Sequence, residues 1–301
     1  MNNPDYTMRC SKNPEERLRR RAVCAAATLR SQASCDGRKG LVARRQSLEE
    51  TVDFGHRKVA AAEKEPLVRA VFDSVAPAYD AMNDFMSGGL HRVWKSVLLD
   101  RLNPQPGQRL LDVAGGTGDI ARGFLARAGE RDPRDRAPAT ATVCDINHAM
   151  MREGRERAGD AQEGLYRVCG NAEQLPLPDR SVDRYTIGFG IRNVTHRDRA
   201  LREAYRVLKP GGLFYCLEFS QPETDTLGAI YRLYSDHLIP RLGEWVAEDR
   251  DSYAYLVESI ERFPDAPAFA REVSAAGFAR VKAERLSGGI VALHSGWKIG
   301  L

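Results

Sequence analysis

The stretch "LLDVAGGTGDIA", residues 110–121, sets Gly115, Gly116 and Gly118 between an apolar run and what reads as the first turn of a helix. Glycine weakens strands and helices alike and is kept where backbone turns sharply or comes close to another group. At a strand-to-helix seam it exposes backbone N–H groups and a helix start to a ligand. The spacing does not complete the G-x-G-x-x-G pattern, because Gly116 and Gly118 supply the first two positions and Ala121 falls at the third. Since that variant is tolerated in some nucleotide folds, spacing alone leaves both a dinucleotide and another adenosyl-type ligand open. Asp112 and Asp119 bracket the loop. Their charge repels a pyrophosphate and suits a cation.

On either side of this seam the chain alternates. "NPQPG" is a turn cluster ahead of the strand "QRLLDVA"; after the loop come "ATVCDI" and the helical "HAMMREGRERAG", then "LYRVCG", then "SVDRYTIGFG" and the helical "RDRALREAYRVLKPGG", then "LFYCLEFS". Strands alternating with helices mean βαβ units and a parallel sheet covered on both faces. The end differs: "FARVKAERL", "SGG" and "IVALHSGWKI" read as a hairpin. A doubly wound sheet closed by a hairpin is the architecture of many S-adenosylmethionine (SAM) methyltransferases. SAM is a sulfonium with an ammonium group and no phosphate, which agrees with the acids around the loop. Upstream, residues 65–103 read as two or three helical stretches broken at "NDFMSGG".

The 301 residues, 43% hydrophobic and 29% charged, describe a globular protein with no run of apolar residues long enough to span a bilayer. The six cysteines (Cys10, Cys24, Cys35, Cys144, Cys169, Cys216) form no CxxC pair. They read as reduced thiols in a reducing compartment, with no metal site. The net charge of +4 is unevenly placed. Residues 1–48 carry eleven Lys and Arg against four acids, which leaves the rest of the chain at −3. This segment has no amphipathic period and no continuous apolar core of the secretory kind, so residues 1–52 are expected to be a basic, disordered extension. An over-called start, a transit peptide and an electrostatic arm are its competing explanations; a basic tail alone does not argue for nucleic acid. Residues 53–301 are expected to form one domain with a helical cap at about 65–103.

Three loops at carboxyl ends of successive strands line one crevice in such a sheet. The first is the glycine loop. At the end of the second strand, Asp145 is placed to accept hydrogen bonds from both hydroxyls of a ribose, a role compatible with capping the next helix. In the third, "GNAEQLPLPDRSVD", Asn171 and Ala172 are placed to read an adenine edge.

Taken together, "DVAGGTGD", "CDIN", "GNAEQLP", "GFGIRNVTHRDRALREAYRVLKPGG", "LEFS", "LVESIERFP" and "IVALHSGW" resemble the ubiquinone/menaquinone biosynthesis C-methyltransferase family (UbiE-like) over about residues 53–299. The resemblance implies a class I SAM-dependent methyltransferase with a seven-stranded, mostly parallel sheet, and transfer of the SAM methyl to a ring carbon of a polyprenylated quinol. It places SAM contacts at Thr117, Asp145, Asn171 and Ala172, beside Asp112, Gly115, Gly116 and Gly118 of the loop. Where the family commonly has Ser in "ISFG", this chain has Gly188. That leaves only a backbone contact there. His196 and Gly288 stand where the family usually has an acid and often has Phe.

SAM carries a good leaving group, so the protein's task is chiefly alignment. A ring carbon becomes nucleophilic when a neighbouring hydroxyl loses its proton, which makes the reduced quinol the substrate and leaves the quinone inert. Arg192 and Asn193, after the fourth strand, and Tyr79, on the cap, are the candidate catalytic residues; a guanidinium can stabilise a phenolate or hold a basic water. A salt bridge is the competing reading for Arg192, and a packed aromatic for Tyr79. His91, His196 and His294 share no metal-ligand spacing and read as packing residues. Aromatic and Leu positions in "LGAIYRLYSDHLIPRLGEWVAEDRDSYAYLVESI" suit either core or an isoprenoid channel. The family implies a cytoplasmic protein with peripheral contact at the inner membrane or with a quinone-biosynthetic complex, no nucleic acid, and a homodimer as one form. A SAM methyltransferase acting on another lipid or small phenol and a non-catalytic SAM-binding partner are the alternatives.

Overall fold

In the computed structural model, which describes residues 50–75, 84, 87–131, 137–158, 162–222 and 250–300, the alternating strands and helices form a seven-stranded sheet with a short hairpin beside its helical entry. The hairpin is β1 (Thr51–Phe54) and β2 (Arg57–Ala60), followed by α1 (Ala61–Val75) and α2 (His91–Leu102). The sheet region then runs β3 (Arg109–Val113), α3 (Asp119–Gly129), β4 (Thr140–Asp145), α4 (His148–Ala158), β5 (Leu165–Cys169), β6 (Val182–Gly188), a 3-10 turn (Ile191–Asn193), α5 (Arg197–Val207), β7 (Leu208–Phe219), α6 (Arg250–Glu261), α7 (Ala266–Ala275), β8 (Ala279–Leu286) and β9 (Val291–Trp297). Of the expected basic extension 1–52, residues 1–49 lie outside the described residues, as do Tyr79 and the helical stretch at 227–245, whereas Thr51 and Val52 belong to β1 and not to a disordered tail. Residues 52–59 and those from Glu63 onward cluster as one unit. Of the other, Ala61 N donates to the Glu50 carbonyl at 2.8 Å.

Strand order is β5-β4-β3-β6-β7-β9-β8, parallel through β7 and antiparallel across β7–β9 and β9–β8. This is the doubly wound sheet with a terminal hairpin that the sequence pattern predicts. Period-2 alternation sends neighbours to opposite faces. Leu110 packs with Leu98, Phe124 and Val143 on one side, and Leu111 and Val113 pack with Ile187, Leu201 and Phe269 on the other. The helices answer with apolar stripes at helical spacing: Ile120, Ala121, Phe124 and Ala128 on α3, and Ala200, Leu201, Ala204 and Val207 on α5.

Three local features depart from the sequence pattern. The hairpin β1–β2 precedes the cap, and α7, begun by Asp265 accepting from Ala268 N at 2.7 Å with Pro267 in the first turn, precedes β8. Helix α5 ends at Val207, so "LKPGG" is the entry to β7 and not helix. Lys298, 5% exposed, terminates α5 by donating to the carbonyls of Tyr205, Arg206 and Leu208. A cation at a helix carboxyl end satisfies both its orphan carbonyls and its dipole.

Candidate active site

The sheet reverses its winding at β3, which has β4 on one side and β6 on the other. Ligands in open α/β sheets bind in the crevice at such a switch point. A cleft of about 820 Å³, open to solvent, lies there. Its floor is Val113, Ala114 and Gly116 from the end of β3, with Asp145 at the end of β4 and Ile146 and Asn147 after it. Gly170, Asn171, Ala172 and Glu173 follow β5; Phe189, Gly190 and Asn193 to Thr195 follow β6; and α1 covers it with Glu65, Val68 and Phe72.

Backbone geometry explains the glycines. Gly116 (φ 51°) and Gly118 (φ 88°) are left-handed, and Gly118 N donates to the Gly115 carbonyl at 2.8 Å, which closes the turn into α3. A Cβ on Gly115 would stand 2.8 Å from Asp112 Oδ2 and 3.0 Å from Val143 Cγ1. Two residues with side chains, Ala114 (φ 49°) and Phe189 (φ 57°), are also left-handed, one at the end of each central strand and both in the cleft wall. Strain of this kind, roughly 1–3 kcal/mol per residue, gathers at ligand sites.

Asp145 is 8% exposed. Its Oδ2 accepts from Gly116 N and its Oδ1 from Asn147 N, both at 2.8 Å. Burial pushes its pKa up and the backbone N–H groups of Asn147, Gly116 and Ile146 pull against that. The carboxylate is thereby fixed at the cleft with lone pairs to spare, as an acceptor for a vicinal diol requires.

The charged side chains lining the cleft, among the described residues, are Glu65, Asp145 and Glu173. All three are acids. The sequence had placed the negative charge on Asp112 and Asp119, and there the structure corrects it. Asp119 is claimed by Lys95 at 2.8 Å and by Arg122 at 2.6 Å. Asp112 is fully buried behind the loop, accepts from Thr186 Oγ1 at 2.7 Å, and has its pKa raised to about 7 by desolvation; its Oδ2 has no partner among the described residues. The field at the cleft comes instead from acids contributed by α1, the end of β4 and the loop after β5.

Of the expected cofactor contacts, the structure brings Gly116, Asp145, Asn171 and Ala172 to the cleft. Gly115, Thr117 and Gly118 shape the loop without lining it: Thr117 is 2% exposed, and Gly154 of α4 packs so closely that a Cβ there would stand 2.3 Å from the Thr117 carbonyl. Gly188 faces Ile120 of α3, whose Cδ1 would meet a Cβ at 2.7 Å. The Asn171 amide is engaged at both ends, accepting from Glu173 N at 2.8 Å and donating to Glu65 at 3.1 Å. With Asn147 donating to Asp73 at 2.9 Å, this ties α1 over the cleft at two points.

The catalytic candidates separate. Asn193 lines the cleft, whereas the Arg192 side chain, its neighbour in a 3-10 turn, points behind the wall. There Nη1 pairs with Glu218 Oε1 at 2.8 Å and donates to the Phe189 carbonyl at 2.6 Å, Nε reaches Ser259 at 3.3 Å, and the guanidinium lies 5.5 Å from the Phe219 ring centroid. Sequence reasoning missed Glu65, Asn147 and Glu173 as site residues, and Glu218 as the partner that claims Arg192. Glu218 stands within the "LEFS" motif. The others meet their partners only across the fold.

Outside the cleft, His294 is buried, with Nε2 3.0 Å from the Ala266 carbonyl. Cys144 and Cys216 are buried free thiols and Cys169 is an exposed one. Among the described residues no group of three His, Cys, Asp or Glu side chains is placed to hold a metal ion, and no helix is long and apolar enough to cross a membrane.

Comparison with known proteins agrees with this architecture. The family model described as the ubiE/COQ5 methyltransferase family matches residues 58–298. Among curated relatives, proteins named "Ubiquinone/menaquinone biosynthesis C-methyltransferase UbiE" are 53% identical over 83% of this chain and 98% of the relative (Caulobacter vibrioides), 57% over 83% and 98% (Methylobacterium nodulans), and 55% over 82% and 96% (Paracoccus denitrificans). A SAM-dependent methyltransferase from Thermotoga maritima has the same fold at a TM-score of 0.51 and 21% identity, over 77% of this chain and 99% of that one. A chain of the Haloferax volcanii complex between the Trm112 methyltransferase activator and a methyltransferase matches at a TM-score of 0.55 and 18% identity, over 78% and 98%. The fold is that of the class I SAM-dependent methyltransferases, and the chain belongs to the ubiE/COQ5 methyltransferase family.

Proposed function

We propose that this protein transfers the methyl group of SAM to a ring carbon of a reduced, polyprenylated quinol in ubiquinone or menaquinone biosynthesis. The observation that carries the reading is the cleft at the sheet's switch point, whose charged lining is wholly acidic among the described residues and whose Asp145 is held as a diol acceptor. Such a site fits a cationic adenosyl ligand and disfavours a pyrophosphate. The relatives' shared name, with its ubiquinone/menaquinone biosynthesis and C-methyl transfer, supports the acceptor class.

When bound, SAM would supply a methyl group already activated by a sulfonium. Asp145 would hold the ribose, and the backbone at Gly116 and Ala172 would border the rest of the ligand. Val68 and Phe72 of α1 would give the acceptor an apolar wall. Asn193 faces the acceptor from the turn after β6 and donates to the quinol oxygen that gains negative charge. Arg192, paired with Glu218, supports that turn from behind. Overall one C–C bond forms, one C–S bond breaks and one proton goes to solvent. Tyr79 remains the cap's candidate for closing over the methyl group, the chain ahead of β1 an extension outside the catalytic domain, and the inner-membrane surface the place where the prenylated acceptor is met.

Mass-spectrometric detection of product, after incubation with SAM and demethylated benzoquinol or naphthoquinol with and without dithionite, tests the reading. Methylation only in the reduced samples is expected, and the accepted ring identifies the pathway. SAM binding with no product from either ring would overturn it.

A further inference from the structure

Asn193 is held from behind by a residue that nothing in the motifs points to. Tyr255, on α6, donates its hydroxyl to Asn193 Oδ1 at 3.0 Å across 62 positions of sequence. Tyr255 is 4% exposed and stacked on Phe54, with centroids 4.2 Å apart and planes 20° from parallel. Asn193 Nδ2, at the other end of the same amide, is closed to water and has no partner among the described residues. An amide has one acceptor end and one donor end. With Oδ1 committed to the tyrosine, the donor is what remains for a ligand. Leaving a buried N–H unpaired is unfavourable, and a ligand oxygen that comes against it as the cleft wall adjusts on binding removes that penalty.

We propose that Tyr255 is a positioning residue for methyl transfer: its hydroxyl fixes the Asn193 amide so that Nδ2 meets the acceptor's oxygen. The inference rests on the functional reading above, in which Asn193 faces the quinol. A fixed donor in a water-excluded wall interacts more strongly with an oxygen gaining charge than with the neutral hydroxyl, so its contribution falls on kcat. Burial raises the Tyr255 pKa well above that of an ordinary tyrosine, against a smaller opposing effect of Arg192, so the hydroxyl stays a donor throughout the neutral range.

The test compares Tyr255→Phe, Asn193→Ala and the double variant in the full chain, with dithionite-reduced demethylated quinol as acceptor. Tyr255→Phe keeps the ring on Phe54 but leaves Asn193 Oδ1 without its donor, so the melting temperature is expected to fall by only a few degrees and the KM for SAM to stay at the parental value while kcat falls roughly tenfold. In the Asn193→Ala background the same change is expected to have no further effect, because it acts only through that amide. Asn193→Asp keeps the acceptor for Tyr255 and removes the donor, so its kcat is expected to fall at least as far as that of Asn193→Ala. Parental kcat in Tyr255→Phe with a reduced Asn193→Ala would overturn the positioning role alone, as would independent, multiplying losses in the double variant. Parental kcat in Asn193→Ala would overturn the placement of the acceptor itself, and the positioning role with it. If Tyr255→Phe does not fold, parental kcat in Asn193→Asp alone would overturn the proposal.

Discussion

Arg192 and Glu218 meet in the protein interior as an ion pair, Nη1 2.8 Å from Oε1, with side chains 4% and 0% exposed. Glu218 also accepts from Phe219 N at 3.0 Å and, at 3.4 Å, from Arg192 N. The pair therefore binds the end of β7 to the turn that carries Asn193. Removing one member strands a buried charge. Glu218→Ala is expected to lower unfolding free energy by about 3–5 kcal/mol in urea titrations, and Arg192→Met/Glu218→Met to lower it by much less, since no charge is left unpaired.

Asp145 tests the donor site. Asp145→Ala is expected to weaken SAM about 100-fold by calorimetry, since it removes a charged acceptor at the ribose and frees two backbone donors of the loop. Arg192→Ala is expected to leave SAM affinity within a few-fold of the parent and to lower turnover. Equal affinity in Asp145→Ala and the parent would remove the cofactor assignment.

The acidic lining favours a ligand with one more positive charge. Glu65→Gln is expected to lower the preference for SAM over its uncharged-sulfur product about two- to fivefold at low salt. The effect is modest because Glu65 is exposed and shared with Arg69 at 2.9 Å, and it shrinks as salt rises. Paired affinities for donor and product at two ionic strengths measure it.

Two buried groups set opposite pH slopes on stability. Asp112 holds its proton in the folded state up to about pH 7, whereas the ordinary value for an aspartate is 3.8. The native state then binds more protons between those values, and stability falls as pH rises through the window. Asp112→Asn, neutral at every pH, is expected to gain on the parent progressively from pH 4 to 8. Burial lowers the pKa of His294 below the ordinary histidine value of 6.5, so the unfolded state takes up its proton first and stability is lost as pH falls below 6.5. His294→Gln is expected to flatten that acid limb. Urea midpoints across pH 4–8 check both signs.

The order of strands and helices, the glycine loop, Asp145 at the end of the second sheet strand and the terminal hairpin are all properties of the sequence by itself. They depend on periodicity over a few residues and on backbone conformations that glycine alone adopts freely. Which polar side chains face the ligand was decided by tertiary structure. Asp119 is paired with Lys95, 24 positions away; Asn171 gave its amide to Glu65, 106 away; Arg192 was drawn behind the wall by Glu218; and Asn193 was fixed by Tyr255. A charged or amide side chain takes the partner that relieves its desolvation, and that partner comes into reach only when distant segments pack together.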